Sequence, residues 1–432
     1  MKILHLVQRY SPAVGGSELV FQKLSERLAA RGHEVSVWTT DALEIDRFWS
    51  ASTPRLLAGD DLVNGIPVWR ARVRHLGPSA EFYHRLRWLA LSLAPLPGAL
   101  PILRAIAALT PFLPSLIARA LSSHERFDLI HAGCLPYDAL MIWGETLARR
   151  LGVPFLVTPF AHLGRPEDWE IRRHYTMPQQ IDLLRRADAV FVQTAFEGDE
   201  LAARGVPRRA IRRGGAGFEP DEVRRGDDAR FRRRHGIEGP IIVFLGVALP
   251  EKGALDLLAA VRRLRQGGDV ATLVMAGRRT AAFDAAHAAL PEAERGAVRV
   301  LGPIDAQEKR DLLTAGALLA LPSRTESFGI VYFEAWAAGM PVIAAAAGAP
   351  AEVVEDGVTG LLVPFGDVPT LAGAILELLS DRALARRLAA AGRKKALASY
   401  TWDAVADRVE AVYQDLTLLA PQKREGESGG AV

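Results

Sequence analysis

Short apolar runs alternate with helical periodicity along most of the chain. Near the N-terminus, residues 3–7 (ILHLV) predict a buried strand, and a loop containing Gly15 and Gly16 follows it. A helical repeat of apolar residues then ends at Gly32, and residues 34–38 predict a second strand. This order is typical of a strand–helix–strand unit whose strands run parallel.

The same order begins again near residue 240. Residues 241–246 (IIVFLG) predict a strand, a loop reaches Lys252 and Gly253, and a helix and another strand follow. Further short apolar runs, separated by helical repeats, continue through both halves. We therefore expect an α/β protein with two Rossmann-like parallel-sheet domains, an N-terminal one at 1–218 and a C-terminal one at 219–400.

The two ends of the chain complete the predicted organisation. A last helix is expected at 401–419, and the polar segment 420–432 is expected to be disordered. The N-terminal sequence MKILHLVQRYSP lacks the apolar length of a signal peptide, and the single cysteine, Cys134, excludes an internal disulfide. These features favour a reducing, cytoplasmic location.

Composition narrows the classes of partner. The chain has 432 residues, of which 53 are Lys or Arg and 50 are Asp or Glu, for a formal net charge of +3. This balance is too even for a protein built around a polyanion, so we expect no nucleic acid partner. Since the sequence has no D-x-D spacing and no cluster of histidines and carboxylates, we expect an activity without a metal ion or another cofactor.

Candidate ligand contacts lie in the loops that follow the first strand of each predicted sheet. Ligands of open parallel sheets bind beyond the carboxyl ends of the strands, where helices begin with free N–H groups. Gly15 and Gly16 occupy such a loop in the first half, and Lys252 occupies the equivalent loop in the second. The glycines are either a phosphate contact or a tight turn alone, and the lysine is either an anion ligand or a solvated side chain.

Two acids, Glu326 and Glu334, are eight residues apart and flank Phe328, Gly329 and Ile330, where a helix is predicted to begin. Eight helical steps span roughly 12 Å, which exceeds the roughly 5 to 9.5 Å between carboxylates that flank one glycosidic bond. The pair could instead accept hydrogen bonds from hydroxyls at two ends of a long ligand, with the helix N–H groups facing an anionic part. The alternative is a helix-capping Glu326 and an interhelical Glu334.

These residues resemble a known family. The spacing Glu326-x7-Glu334 with its internal Phe-Gly, the EKG at 251–253, the GMPV at 339–342 and the pattern P-x-x-G-G-x-E from Pro12 are similar to the retaining glycosyltransferases of family 4. The resemblance covers almost the whole chain. It implies a GT-B fold, in which two Rossmann-like domains face each other across a cleft. The C-terminal domain would hold a nucleotide sugar, the N-terminal domain an acceptor, and the last helix would cross back to the N-terminal domain.

The resemblance also implies roles for single residues. Glu334 would bind the ribose hydroxyls, Glu326 a hydroxyl of the transferred sugar, and Lys252 the diphosphate. His162, in VTPFAHLG, would lie near the reacting sugar and joins Glu326 and Lys252 as a catalytic candidate. The full set of expected donor contacts is Gly15, Gly16, Lys252, Arg278, Pro303, Ile304, Glu326, Ser327, Phe328, Gly329, Ile330 and Glu334.

The chain departs from the family at one cation. The family has an arginine that touches the diphosphate five residues before the loop lysine, and this chain has Val247 there. Arg278 or Arg279, after the next strand, could replace it. Loss of a charge-assisted hydrogen bond is worth roughly 1.5 to 3 kcal/mol, so donor binding would weaken without a substitute.

The function implied is transfer of a hexose from a nucleotide-diphosphate sugar to a hydroxyl of a glycan or a lipid-linked acceptor. Two alternatives remain: another GT-B enzyme, such as a phosphorylase or a sugar-nucleotide epimerase, and a non-catalytic sugar-nucleotide binder. The apolar, proline-broken region 82–121 is interpreted as N-domain helices packed on the sheet. Its alternative is a surface for peripheral association with anionic lipid at the inner face of the membrane, or for a lipid-linked acceptor.

Overall fold

The computed structural model describes residues 1–13, 15–77, 79–163, 169–223, 225–268, 271–326 and 328–428. The chain divides into two compact units. The first contains Met1–His162, Trp169–Gly215 and the chain from Val405 onward, and the second consists mainly of Ala216–Ala404. These divisions fall a few residues from the predicted changes after residues 218 and 400.

The first unit is built on an eight-stranded sheet in the order β3-β4-β2-β1-β5-β6-β7-β8. Neighbouring strands run parallel except for the β3–β4 pair. The central strands are covered on both faces, which explains their continuous apolar runs. The strands are β1 (Lys2–Leu6), β2 (Glu34–Thr40), β3 (Gly59–Val63), β4 (Ile66–Ala71), β5 (Leu129–Gly133), β6 (Phe155–Thr158), β7 (Ala189–Val192) and β8 (Ile211–Arg213).

Eight helices belong to the described part of the first unit before residue 215. They are α1 (Gly16–Ala30), α2 (Ala80–Leu93), α3 (Leu100–Ala108), α4 (Pro114–Ser122), α5 (Asp138–Leu151), α6 (Trp169–Arg172), α7 (Pro178–Arg186) and α8 (Ala195–Ala203). The apolar region 82–121 forms α2 to α4, interrupted by short non-helical segments. Among the described residues, no helix is both long enough and apolar enough to cross a membrane.

The second unit contains a six-stranded, fully parallel sheet in the order β11-β10-β9-β12-β13-β14. Its strands are β9 (Ile241–Leu245), β10 (Thr272–Ala276), β11 (Val298–Gly302), β12 (Leu318–Leu321), β13 (Val342–Ala345) and β14 (Leu361–Val363). The helices that begin in this unit are α9 (Pro220–Val223), α10 (Asp228–His235), α11 (Ala254–Gln266), α12 (Ala281–Ala288), α13 (Glu292–Arg295), α14 (Ala306–Ala315), α15 (Ile330–Ala337), α16 (Gly348–Val353), α17 (Val368–Ser380), α18 (Arg382–Ser399) and α19 (Trp402–Ser428).

The last helix, α19, runs from the second unit into the first. Its Tyr413 is fully buried in the first unit, where the hydroxyl contacts His5 and His131. The helix continues past the predicted end at Leu419 as far as Ser428. The helical backbone therefore continues through Pro421 and Gly426, where disorder was expected. Residues 429–432 of the expected tail lie outside the described residues.

Each sheet has one point where the strand order reverses. In the first unit this point lies between β1 and β5, because β2 and β4 extend to one side and β6 to β8 to the other. In the second unit it lies between β9 and β12. In open parallel sheets, ligands bind beyond the carboxyl ends of the strands at such a point. The loops after these four strands are therefore the first places to search for a site.

Candidate active site

In the second unit, the loops after β9 and β12 bring Lys252 and Glu326 together. The Nζ of Lys252 donates to the Oε2 of Glu326 at 2.5 Å, and the two side chains are 19% and 14% exposed. The sequence predicted both residues for the site but not this ion pair. The ammonium of Lys252 thus has a carboxylate partner within the protein.

Backbone contacts hold these two loops against each other. Gly253 has φ +71, and a Cβ there would lie 2.6 Å from the carbonyl oxygen of Pro322. The amide of Arg324 donates to the carbonyl of Glu251 at 3.0 Å. A side chain at 253 would therefore force the loops apart, which explains why glycine follows Lys252.

The start of α15 positions the second acid. Gly329 precedes the helix with φ +83 and, as the N-cap residue, offers no side-chain cap of its own. A Cβ at Gly329 would lie 2.4 Å from the ring of Tyr332, whose hydroxyl donates to the carbonyl of Leu321 at 2.7 Å. Glu326 lies in the loop before α15, and its role as a helix cap stays an alternative. Glu334 lies in the helix, one turn after its start.

Glu334 has one occupied carboxylate oxygen and one open one. Its Oε1 accepts from the Nζ of Lys309 at 2.6 Å. Its Oε2 is buried and has no hydrogen-bond partner among the described residues. A buried polar atom without a partner is costly, so it indicates a place for a donor group of a ligand. The contact with Lys309 agrees with an interhelical acid, but the open oxygen goes beyond that interpretation.

Lys309 was missed by sequence reasoning. It lies on α14, which begins directly after the loop that contains Pro303 and Ile304, two of the expected donor contacts. Asp305 caps this helix by accepting from the amide of Glu308 at 2.8 Å. Nothing in the local sequence relates Lys309 to an acid 25 residues later, because only the folding of α14 beside α15 joins them.

The first unit places its glycine pair at the start of α1. A Cβ on Gly15 would lie 2.2 Å from the Oε2 of Glu18, a buried acid that pairs with Arg9 at 2.5 Å. A side chain at position 15 would therefore displace the Glu18 carboxylate from its place beside Arg9. A Cβ on Gly16 would meet nothing within 4 Å, so that packing imposes no such requirement there. The Arg9–Glu18 pair was not predicted.

His162 follows β6 on a loop with an unusual backbone. Phe160 has φ +50, a left-handed conformation that is rare for an aromatic residue and concentrates at functional sites. The amide of Ala161 donates to the buried carboxylate of Glu197 at 2.9 Å, which ties the loop to α8. The His162 ring lies 5.2 Å from that of Tyr175, centroid to centroid.

Two family models match the chain. The one described as "Glycosyl transferase 4-like domain" matches residues 15–215, and the one described as "Glycosyl transferases group 1" matches residues 227–395. A D-inositol 3-phosphate glycosyltransferase of Corynebacterium diphtheriae is 30% identical over 332 residues, which cover 72% of this chain and 76% of that protein. The chain belongs to the family 4-type glycosyltransferases. The resemblance inferred from the motifs is thereby confirmed.

Other relatives of this glycosyltransferase cover nearly its whole length. A glycogen synthase of Mycobacterium tuberculosis is 29% identical over 425 residues, 96% of this chain and 94% of that protein. Among solved structures, sucrose-phosphate synthase from Thermosynechococcus elongatus has a TM-score of 0.70 at 22% identity and covers 96% of this chain and 99% of its own. Anabaena HepE in complex with UDP-glucose gives 0.70 at 20% identity, with 96% and 100% covered. These structures establish the GT-B fold.

In this glycosyltransferase, Val247 stands where the family has the arginine that contacts the diphosphate. Val247 follows β9, and the next residue, Ala248, donates its amide to the carbonyl of Arg278 at 2.9 Å. The loops after β9 and β10 are thus bonded at the position where the cation is missing. Arg279 pairs with Asp284 at 3.3 Å, whereas the exposed Arg278 forms no ion pair among the described residues. Contact between Arg278 and the diphosphate stays a prediction.

Two further predicted donor contacts, Phe328 and Ser327, lie between Glu326 and Gly329. Phe328 is buried and packs with Phe333 and Tyr400, so its backbone rather than its ring is available to a ligand. Ser327 lies outside the described residues. The described part of the chain contains no group of three or more His, Cys, Asp or Glu side chains that could hold a metal ion. Independence of a metal ion stays a prediction.

Proposed function

We propose that the chain is a retaining hexosyltransferase that moves a sugar from a nucleotide diphosphate to a hydroxyl of a glycan or lipid-linked acceptor. The observation that carries the proposal is the buried Oε2 of Glu334, which has no hydrogen-bond partner among the described residues. Glu334 pairs with Lys309 through its other oxygen and lies on the same loop–helix segment as Glu326. A carboxylate with a free acceptor atom suits vicinal ribose hydroxyls. The complex of the similarly folded HepE with UDP-glucose supports a donor of this class.

The proposed donor contacts follow from charge. Breaking the bond between the anomeric carbon and phosphate builds negative charge on the diphosphate, which cations and helix N–H groups stabilise. Lys252 and Arg278 would supply the cations, and the amides of Phe328, Gly329 and Ile330 the N–H groups. Glu326, released from Lys252 by the diphosphate, would then accept from a hydroxyl of the sugar. The base would lie at Pro303 and Ile304.

The proposed transfer needs no protein nucleophile. The acceptor oxygen forms its bond to the anomeric carbon on the face that the phosphate leaves, and the departing phosphate oxygen takes the acceptor proton. Configuration is thereby retained. We propose that His162 is the residue of the first unit that contacts the transferred sugar. Gly15 and Gly16 would contact the distal phosphate of the donor. We also propose that no metal ion takes part, with Lys252 and Arg278 in its place.

Peripheral membrane association, at the cytoplasmic face, is part of the proposal. The helices α2 and α3 and the segment between them expose large apolar side chains, including Trp88 at 70%, Ile102 at 55% and Leu96 at 54%. Exposed apolar side chains that cluster along neighbouring helices mark interaction surfaces. Such a surface suits a protein whose acceptor carries a lipid.

A thermal-shift panel of UDP, GDP, ADP and TDP sugars tests the donor site. A ligand that binds only the folded protein raises the melting temperature according to its concentration relative to Kd. We expect sugar nucleotides of one base to raise the melting temperature clearly. Glu334→Gln should lower the affinity for that donor at least about tenfold, because a charge-assisted hydrogen bond is lost. The exposed Glu377→Gln is the matched control.

Turnover distinguishes the alternatives. A transferase hydrolyses its donor slowly when water replaces the acceptor, and Glu326→Gln should abolish that hydrolysis. Release of sugar phosphate from a glycan would instead indicate a phosphorylase, and conversion of the donor without an acceptor to an isomeric sugar nucleotide an epimerase. Donor binding without any turnover, across a panel of acceptors, would leave a non-catalytic binder and contradict the proposal.

A further inference from the structure

The first unit contains a cavity of about 200 Å³ that none of the donor contacts uses. It lies between α2, α3 and the start of α5, beyond the carboxyl end of β5. Most of its walls are apolar or aromatic, and they include Trp49, Tyr83, Leu86, Leu103 and Ile106. Its place beside the β1–β5 reversal is one where ligands of parallel sheets bind.

One wall of the cavity is polar and carries an open acceptor. Gln179 is 3% exposed and lines the cavity, and its Oε1 has no hydrogen-bond partner among the described residues. Its Nε2 donates to the carboxylate of Asp138 at 3.2 Å. Because a carboxylate only accepts, this contact fixes which end of the amide faces Asp138 and leaves the carbonyl end for another donor.

Other contacts hold this wall rigid. Asp138 also accepts from the Nε2 of Gln180 at 3.0 Å. Arg87, which lines the cavity from α2, donates to the carbonyl of His174 at 2.8 Å. The next residue, Tyr175, packs on the ring of His162. The polar wall is therefore connected, through one short segment, to the histidine proposed to meet the transferred sugar.

The size and chemistry of the cavity define its ligand. An apolar cavity of about 150 Å³ is enough to hold benzene. The cavity here can hold one aromatic ring or a short alkyl segment, and the Oε1 of Gln179 can accept a hydrogen bond from a hydroxyl on the same molecule. Small-molecule sites combine apolar walls with a few placed polar groups in this way.

We propose that this cavity binds the sugar acceptor, and that the acceptor is an amphiphilic alcohol with an aryl or alkyl body seated between α2 and α3 and a hydroxyl that donates to Gln179. This inference rests on the proposed transferase function, and it narrows the acceptor from glycans and lipid-linked acceptors in general to alcohols and glycosides with an apolar body.

Calorimetric titration with benzyl alcohol and with toluene tests the site directly. We expect wild type to bind benzyl alcohol more tightly than toluene, with the negative heat-capacity change of apolar burial. Ala90→Phe, which fills the cavity from α2, should lower both affinities at least tenfold. Ser92→Phe adds the same ring to the exposed side of α2 and should change neither.

A second variant, Gln179→Leu, tests the site even if Ala90→Phe does not fold. It should keep toluene binding and lose the preference for benzyl alcohol. In the transfer assay, octyl glucoside should be a better acceptor than methyl glucoside for wild type, and Gln179→Leu should raise the KM for octyl glucoside.

The outcomes separate this inference from the transferase proposal. If sugar nucleotides bind and are turned over but benzyl alcohol does not bind, or if Ala90→Phe folds and binds it normally, the cavity is not the acceptor site. If wild type binds benzyl alcohol no more tightly than toluene, and Gln179→Leu does not change the affinity for benzyl alcohol, the hydrogen bond to Gln179 is refuted. If no sugar nucleotide binds at all, the transferase function itself fails, and with it the assignment of the ligand as an acceptor.

Discussion

Acid should destabilise the first unit through two buried histidines beneath α19. His5 donates or accepts at Ser25 (2.8 Å) and at the hydroxyl of Tyr413 (3.1 Å). His131 contacts the same hydroxyl at 2.5 Å and the hydroxyl of Thr158 at 2.7 Å. These neighbours are neutral, and no carboxylate among them can pair with an imidazolium. Burial lowers the pKa of His5 to about 3 and that of His131 well below 6.5.

The sign and size of the effect follow from linkage. Both pKa values are lower in the folded state, so the unfolded chain takes up protons first as the pH falls through 6.5. Stability is complete above that value and is lost below it. At pH 5.5 each histidine costs about 1.4 kcal/mol, and at pH 7.5 about 0.1 kcal/mol or less. The pair should therefore lower the free energy of unfolding by about 2.7 kcal/mol between these pH values.

Urea unfolding followed by tryptophan fluorescence measures this loss. Six of the eight tryptophans lie in the first unit, so the signal reports mainly on that unit. His131→Asn should remove about half of the pH dependence, and the exposed His124→Asn should leave it unchanged. A pH dependence below about 1 kcal/mol, or one that His131→Asn does not reduce, would refute the reasoning, because buried neutral histidines must produce it.

Three further predictions concern the proposed site and surface. Arg278→Ala should weaken donor binding about tenfold in a titration with the preferred nucleotide sugar, whereas Arg279→Ala should not, since Arg279 already pairs with Asp284. Turnover should persist after dialysis against a chelator; activity that disappears and returns with magnesium or manganese would contradict a metal-free transfer. In liposome flotation, the chain should bind anionic vesicles and Trp88→Ser should reduce that binding; no flotation at low salt would end the membrane proposal.

The fold was largely predictable because its signals are local. Most of the buried parallel strands are short apolar runs, and several helices, including α5, α10, α11 and α14, end directly before a glycine. The order of elements can therefore be read without knowing what they contact. After Leu419 the sequence predicted disorder, but the helix continues to Ser428. The polar composition of 420–432 indicated disorder, whereas the backbone is helical as far as residue 428, with Pro421 and Gly426 included.

The site was predictable only where motif spacing carries the geometry. Glu326, Gly329 and Glu334 lie on one continuous segment, and their placement in the loop, at the helix start and in the helix follows from that segment alone. Lys309 comes from a different helix, and its contact with Glu334 depends on how α14 and α15 pack. The open oxygen of Gln179 likewise arises because Asp138 fixes one end of its amide, which no periodicity in the sequence records.

The two ion pairs of the second unit give the proposed donor site a specific electrostatic character. Lys252 pairs with Glu326 and Lys309 with Glu334, so these four groups are balanced before any ligand arrives. A diphosphate that takes Lys252 removes this cation from Glu326, and a donor that replaces the cation stabilises the partly buried carboxylate. A sugar hydroxyl can supply one, whereas a nucleotide diphosphate without its sugar cannot. The exchange of partners thus favours the intact donor over its product, so the sugar-bearing nucleotide should bind more tightly than the free diphosphate, and Glu326→Gln should reduce that preference.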